Sequence, residues 1–542
     1  MKMMNFVKQI LTWTLCFAAV LAMSGCEEKS IPVQATPHQA TSSPAPLKKE
    51  VHIVERPSQY PQNYELLYTN LIEQEHTIFQ IQQEVEDGLY SYEDLTRFFL
   101  DRIEEFQDYH VILTTMDDAI ENAKACDRNP GAGTPLYGIP VILMDNVDTA
   151  GTRTTAGVYL LRDRIPQRDA FVVQLLKIAG AVPIAKANLD ELNGYVIAAS
   201  ETVSGGSSMG GIPVSPYGSG CINSGASSAS AICVTLNLAP LAIGMDTLGS
   251  LLGPAACNSV VGIRPSRALV SHTGIIPGCY AYDVAGPFAK TVKEAACALY
   301  AMQGSDIDDR FQTNETYHPI DDPLLFLSDG CAEHLKGKRV LLGTGSENLP
   351  EELTDALKNA GAALVSGISY DPYADDASMK ELGNVPYEYG VRDSINAFLA
   401  AEAVEDITSI PLLVGYNEQN EELAIPYGQD RLIDFAMLAP MTYASVGTVD
   451  QYLRSHGINS FMRKNNLDLI LTSDANITAY GDMSLNPSVS LPMGQLETED
   501  GNKPLLSAVF TARENDDETA IIAAYVAESQ LGSQRIAPGV PE

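Results

Sequence analysis

Serines crowd residues 224–255, SGASSASAICVTLNLAPLAIGMDTLGSLLGPA, and the last of them, Ser250, stands in a glycine-containing turn. The layout is that of a serine hydrolase site with several parts exchanged. A serine hydroxyl is a poor nucleophile until a base within hydrogen-bond reach removes its proton. Everything therefore turns on which side chain could do so. The eight histidines are scattered, with no H-E-x-x-H and no metal-ligand spacing, so neither a metal nor a cofactor is expected. The acidic pair Asp190 and Glu191 reads as charges at a helix start rather than as an acid–base couple.

These pieces need a scaffold to position them. SYEDLTRFFLDRIEEF opens with a capping-box pattern, Ser91 and Asp94, and places Leu95, Phe98, Phe99, Ile103 and Phe106 at helical spacing. The run Ile139 to Leu143, bounded by Pro and Gly, predicts a buried strand. Asp169 then caps AFVVQLLKIAG, Gly180 stops that helix, and AVPIAKANL follows as another buried strand. Ser227 to Leu238 predicts a helix of small residues, and LAIGMD a strand running into the turn at Leu248 to Ser250. Strands alternating with helices predict an α/β fold with a largely parallel sheet. Ligands in such sheets bind beyond the carboxyl ends of the strands, where the loops after Leu143 and Asp246 would lie.

The formal charge of −35 over 542 residues excludes nucleic acid as a partner, because phosphates demand a basic surface. At the amino terminus, Lys2 and Lys8 precede the apolar run ILTWTLCFAAVLA, too short for a convincing membrane span and laid out as a secretory signal. LAMSGC resembles a bacterial lipobox, which implies cleavage after residue 25 and a lipid on Cys26. A lipid there would tether the chain to a membrane, facing out of the cytoplasm, without spanning it. Residues 26–60, rich in Pro, Ser, Thr and charge, predict a flexible stalk, and residues 61–542 the folded domain. Apart from Cys16 and Cys26 seven cysteines remain, with no C-x-x-C pair. Cys233, Cys257 and Cys297 sit in apolar contexts and read as core residues.

Several blocks resemble the amidase signature family, in family order: GTPLYGIPVILMDNVDTAGTRTTAG, RDAFVVQLLKIAGAVPIAKANLDE, LAPLAIGMDTLGS, NSVVGIRPS and, near the carboxyl end, SLNPSVSLPMG. The resemblance is strong over residues 78–302, weaker from 386 to 540, and lacking over 303–385, which reads as a variable insert. It implies a single domain with a twisted mixed sheet flanked by helices, and hydrolysis of amides by a Ser–cis-Ser–Lys triad without a metal. Ser250 matches the nucleophile position. Met144 stands where the family has its lysine in LLKDN. Ala226, twenty-four positions before Ser250, stands where the family has its bridging serine, and Ser227 matches the second serine of GGSSGG. Thr247, Leu248 and Gly249 match the oxyanion turn, with Leu248 in place of a glycine, a Cβ that would penalise a positive φ. Leu252 replaces the family arginine, and Lys186 matches a different, structural lysine.

A thioether takes no proton at neutral pH and a methyl relays none. The resemblance therefore implies an amidase-family chain of impaired or lost activity, retaining a cleft for a small amide, peptide or acyl ligand. Two alternatives stay open: a working amidase in which Ser227 or Ser224 is the bridge, or in which another base such as Asp145 or a histidine of the unmatched region is recruited, and a surface scaffold acting through 303–385.

Overall fold

Continuous apolar runs build the centre of the molecule. The computed structural model describes residues 63–129, 133–197, 206–218, 225–313, 316–369, 384–439, 443–473, 486–496 and 504–538. The signal sequence, Cys26, the stalk and Ser224 lie outside them. The first six strands are β1 (Ile112–Thr115), β2 (Pro140–Met144), β3 (Val182–Ala187), β4 (Leu241–Asp246), β5 (Val261–Arg264) and β6 (Val284–Ala289). The remainder are β7 (Arg339–Leu342), β8 (Ala363–Val365), β9 (Leu469–Thr472), β10 (Ser488–Gln495) and β11 (Leu505–Ala512). Every residue of β2, β3 and β4 is buried, as expected of strands covered on both faces.

All eleven strands form one sheet in the order β1-β3-β2-β4-β6-β5-β10-β11-β9-β7-β8. Only β2 with β3, β2 with β4, β7 with β8 and β7 with β9 pair in parallel. The expectation of a largely parallel sheet is corrected: the sheet is mixed, because β10 and β11 pair antiparallel with each other and with β5 and β9, while β6 lies antiparallel between β4 and β5. Residues 303–385 do not hang from this sheet; they supply two of its strands, β7 and β8. The described residues belong to one unit, Val54–Val540, an α/β domain with helices against a mixed sheet.

Helix α1 (Tyr92–Glu105) has the capping box its sequence predicts, with Ser91 accepting from the Asp94 amide and Asp94 from the Ser91 amide. Its face of Leu95, Phe98, Phe99 and Ile103 is buried. Its Arg102 donates to the carbonyls of Leu236 and Asn237, satisfying orphan acceptors at the end of the small-residue helix. Helix α2 (Phe171–Ile178) departs from expectation: Asp169 does not cap it. That carboxylate instead accepts from the Ala150 amide and from Lys177 Nζ, 2.8 Å and 2.9 Å away. Gly180 does end the helix, at φ +83°. Helix α3 (Ser228–Thr235) is buried on all sides, which its run of small residues permits. Cys233 and Cys297 are core residues, whereas Cys257 is partly exposed.

Candidate functional site

Strands β2 and β4 are parallel neighbours, with Leu143 opposite Ile243, so Met144 and Asp246, their last residues, both lie at the carboxyl edge. Helix α3 starts directly above. Met144 is fully buried and its sulfur lies 3.5 Å from the Ser227 hydroxyl oxygen. That hydroxyl has one proton and a better acceptor, the Met245 carbonyl at 2.7 Å, while it accepts from the Met245 amide at 2.9 Å. Ser227 is thus a clamp between α3 and β4, and its sulfur contact is packing. Ala226 is buried, its carbonyl accepting from the Asp190 amide. Gly225 brings this segment against the turn: a Cβ on it would lie 2.7 Å from the Ser250 Cα, at a φ of +136°. The Ser227 amide then donates to the Ser250 carbonyl at 3.3 Å.

The turn is held from beneath. Asp246 Oδ1 accepts from the Gly249 amide at 2.9 Å and from Arg264 Nε at 3.0 Å, and Oδ2 from the Leu251 amide at 2.8 Å. Both members of this ion pair are buried. Thr247 Oγ1 donates to Asp283, which also accepts from the amides of Gly278 and Cys279. Within the turn the positive φ falls on Gly249, at +97°, and not on Leu248. The strain expected at Leu248 is therefore absent, and its side chain packs against a second apolar cluster around Tyr195 and Val391. Leu252 is fully buried. Ser250 is partly exposed, and among the described residues its hydroxyl makes no hydrogen bond. The amides of Leu248 and Ser250 likewise donate to no described acceptor.

Neither Asp145 nor Lys186 hydrogen-bonds the Ser250 hydroxyl. Asp145 follows Met144, so strand alternation turns it to the other face. There its Oδ2 accepts from the Thr155 amide and hydroxyl, and its Oδ1 lies 4.0 Å from Lys186 Nζ. Lys186 donates to the Val147 carbonyl and the Thr154 hydroxyl. Burial pulls its amine down to about 8, against the pull of Asp145, and burial also raises the Asp145 carboxyl. Asp190 and Glu191 do open a short 3-10 turn, but Glu191 is no solvent-facing helix charge. It is buried in a segment where Leu192 and Asn193 take φ of 48° and 57°, and accepts from the Ser208 amide. Burial pushes its carboxyl up to about 8. Sequence reasoning missed the Asp246–Arg264 pair, although Arg264 lies in the block NSVVGIRPS; no spacing rule links residues eighteen apart.

Among the described residues no group of three or more His, Cys, Asp or Glu side chains could hold a metal ion, and no helix is long and apolar enough to cross a membrane.

Comparison with known proteins places this geometry among relatives. A family model described as Amidase matches residues 94–366, half of the chain. An amidase family protein from Bacillus anthracis superposes with a TM-score of 0.76 at 29% identity, over 88% of this chain and 94% of that one. The native peptide amidase from Stenotrophomonas maltophilia gives 0.75 at 27% identity, over 86% and 98%. A peptide amidase has also been solved with the competitive inhibitor chymostatin, at the same identity. In sequence, an Arabidopsis thaliana protein described as a probable amidase is 29% identical, over 78% of this chain and 84% of its own length.

Proposed function

Because this chain belongs to the Amidase family, whose members hydrolyse carbon–nitrogen amide bonds, we propose that it keeps the family cleft while its proton-transfer machinery is lost. The cleft binds a small amide, peptide or acyl ligand without efficient turnover. One observation carries the reading: the position matched to the family base holds the buried Met144, whose sulfur lies 3.5 Å from the second-serine hydroxyl of Ser227, and the position matched to the bridge holds the buried Ala226. A neutral thioether accepts no proton there, and the Ser227 proton is committed to the Met245 carbonyl. Loss of a single triad member typically lowers the rate by several powers of ten.

What remains suits binding. The Leu248 and Ser250 amides point no hydrogen at a described acceptor, and donors so placed favour a carbonyl or carboxylate oxygen. The relative inhibited by chymostatin supports a peptide-like occupant. The test is fluorophosphonate labelling of Ser250 beside turnover of simple and aryl amides. Neither should occur; robust labelling that survives Met144→Ala and vanishes in Ser250→Ala would overturn the reading in favour of a rearranged base. The scaffold alternative gains no support, because deleting 303–385 would remove β7 and β8 from the sheet.

The same proposal includes export and a lipid on Cys26, resting on the lipobox-like LAMSGC. Trp13 is the sole tryptophan, so cleavage before Cys26 leaves a mature protein without indole fluorescence. Mass spectrometry of the membrane fraction should find the acylated cysteine; a mature chain retaining Trp13 would refute the processing.

A further inference from the structure

The 3-10 turn Tyr159–Leu161, followed by Arg162, meets helix α4 (Ile410–Gln419) around a cavity of about 490 Å³, lined among others by Arg162, Glu405, Ile407, Leu412, Tyr416 and Asn420. That volume falls in the range of small-molecule sites. The Arg162 guanidinium is already engaged. Nη1 donates to the Tyr159 carbonyl at 3.2 Å and the Tyr416 hydroxyl at 2.8 Å, Nη2 to Glu405 Oε1 at 3.2 Å, and Nε lies 3.6 Å from Asp163. An anion would have to displace a carboxylate to reach it.

The open valences are acceptors. Among the described residues Glu405 Oε2 and Asn420 Oδ1 receive no hydrogen bond. Two carboxylates, Asp163 and Glu405, flank the one guanidinium, and the chain as a whole carries −35. Beside them Ile407 and Leu412 offer an apolar wall, Leu412 being 47% exposed. The backbone that presents Glu405 is strained. Ala403, Glu405 and Asp406 have φ of 47°, 51° and 63°, conformations that are costly for residues with a Cβ and persist only where their surroundings hold them. Here Arg164 grips Glu402 at 2.7 Å on one side and Arg162 grips Glu405 on the other.

We propose that this cavity binds a primary ammonium carried on an apolar arm, with Glu405 as counter-charge, Asn420 as a second acceptor, and Ile407 and Leu412 seating the arm. A free alkylamine and the amino terminus of a short apolar peptide share that chemistry. The site uses none of the residues around Ser250 and stands or falls separately from the reading of that cleft.

Titration calorimetry on the purified chain at pH 7 tests it, with n-butylamine, a dileucine peptide amide, its N-acetyl form and butyrate. The amine, the free-terminus peptide or both should bind; amine alone assigns the site to small amines, peptide alone to peptide termini. The acetylated peptide and butyrate should not bind. Glu405→Gln should weaken binding about tenfold or more, the scale of one charge-assisted hydrogen bond, while a single cooperative melting transition shows that the variant is folded, and Ser250→Ala should bind like the parent. Equal affinity in Glu405→Gln, preference for butyrate, or no binding by either amine overturns the assignment.

Discussion

On the proposed reading, Met144→Lys together with Ala226→Ser supplies the two side chains that proton transfer from Ser250 lacks, and the structure gives a handle on the cost. Met144 is fully buried, and lysine is similarly unbranched, so the exchange is chiefly one of charge. Lys186 in the neighbouring strand calibrates it: buried, with Asp145 at 4.0 Å, its amine is still pulled down to about 8. Position 144 faces away from that carboxylate, so its amine should be neutral at pH 7. Stripping the proton from an ordinary lysine of pKa about 10.4 costs about 5 kcal/mol at pH 7, a large share of the roughly 5–15 kcal/mol that holds a domain together. The folded chain then binds fewer protons than the unfolded one, so stability rises with pH and the deficit shrinks to about 2 kcal/mol at pH 9.

The neutral amine is also the form that can accept the Ser250 proton, and a positioned base is worth about 10²–10⁴ in rate. Fluorophosphonate labelling at pH 9, beside thermal melting, is the assay. The double variant should label at least about a hundredfold faster than the parent, Met144→Lys alone less, and a triple variant with Ser250→Ala not at all. Leu248 can stay, because Gly249 carries the positive φ of the turn. A folded double variant that labels no faster than the parent would show that something other than a missing base keeps Ser250 quiet.

Three further outcomes follow from buried or strained groups. Asp246→Asn should lose about 3–5 kcal/mol, as when one partner of a buried ion pair is removed, and adding Arg264→Met should recover at least about 1 kcal/mol; a double variant no more stable than the single by urea denaturation refutes this. The Glu191 carboxyl, pushed up to about 8 by burial, holds its proton in the folded chain after the unfolded one has released it near about 4.3. Stability should therefore fall as pH rises between those values, and Glu191→Gln should flatten the decline in melting temperature; a variant tracking the parent across that window speaks against it. Ala403→Gly should stabilise by about 1 kcal/mol by relieving a left-handed residue, and any loss of stability on chemical denaturation would contradict the strain.

The apolar runs made the central strands legible, since unbroken stretches such as PVILM tolerate no other environment. The capping box of α1 was legible because its partners lie three residues apart. Sheet direction was not: β10 and β11 pair antiparallel by register, which apolar runs do not encode. Asp169 has the chemistry of a cap, yet Lys177 and the Ala150 amide compete for its carboxylate and win. At the site, the resemblance alone matched Met144 and Ala226 to the base and bridge positions. The second occupation of Ser227 could not be read so, because its partner Met245 is visible only once β4 and α3 are stacked.

The turn that presents Ser250 is braced by Asp246 and Arg264, and neither side chain stands in the path of a proton leaving that hydroxyl. Shape and reactivity here depend on separate side chains. Substitutions could therefore change the reaction one residue at a time without collapsing the cradle.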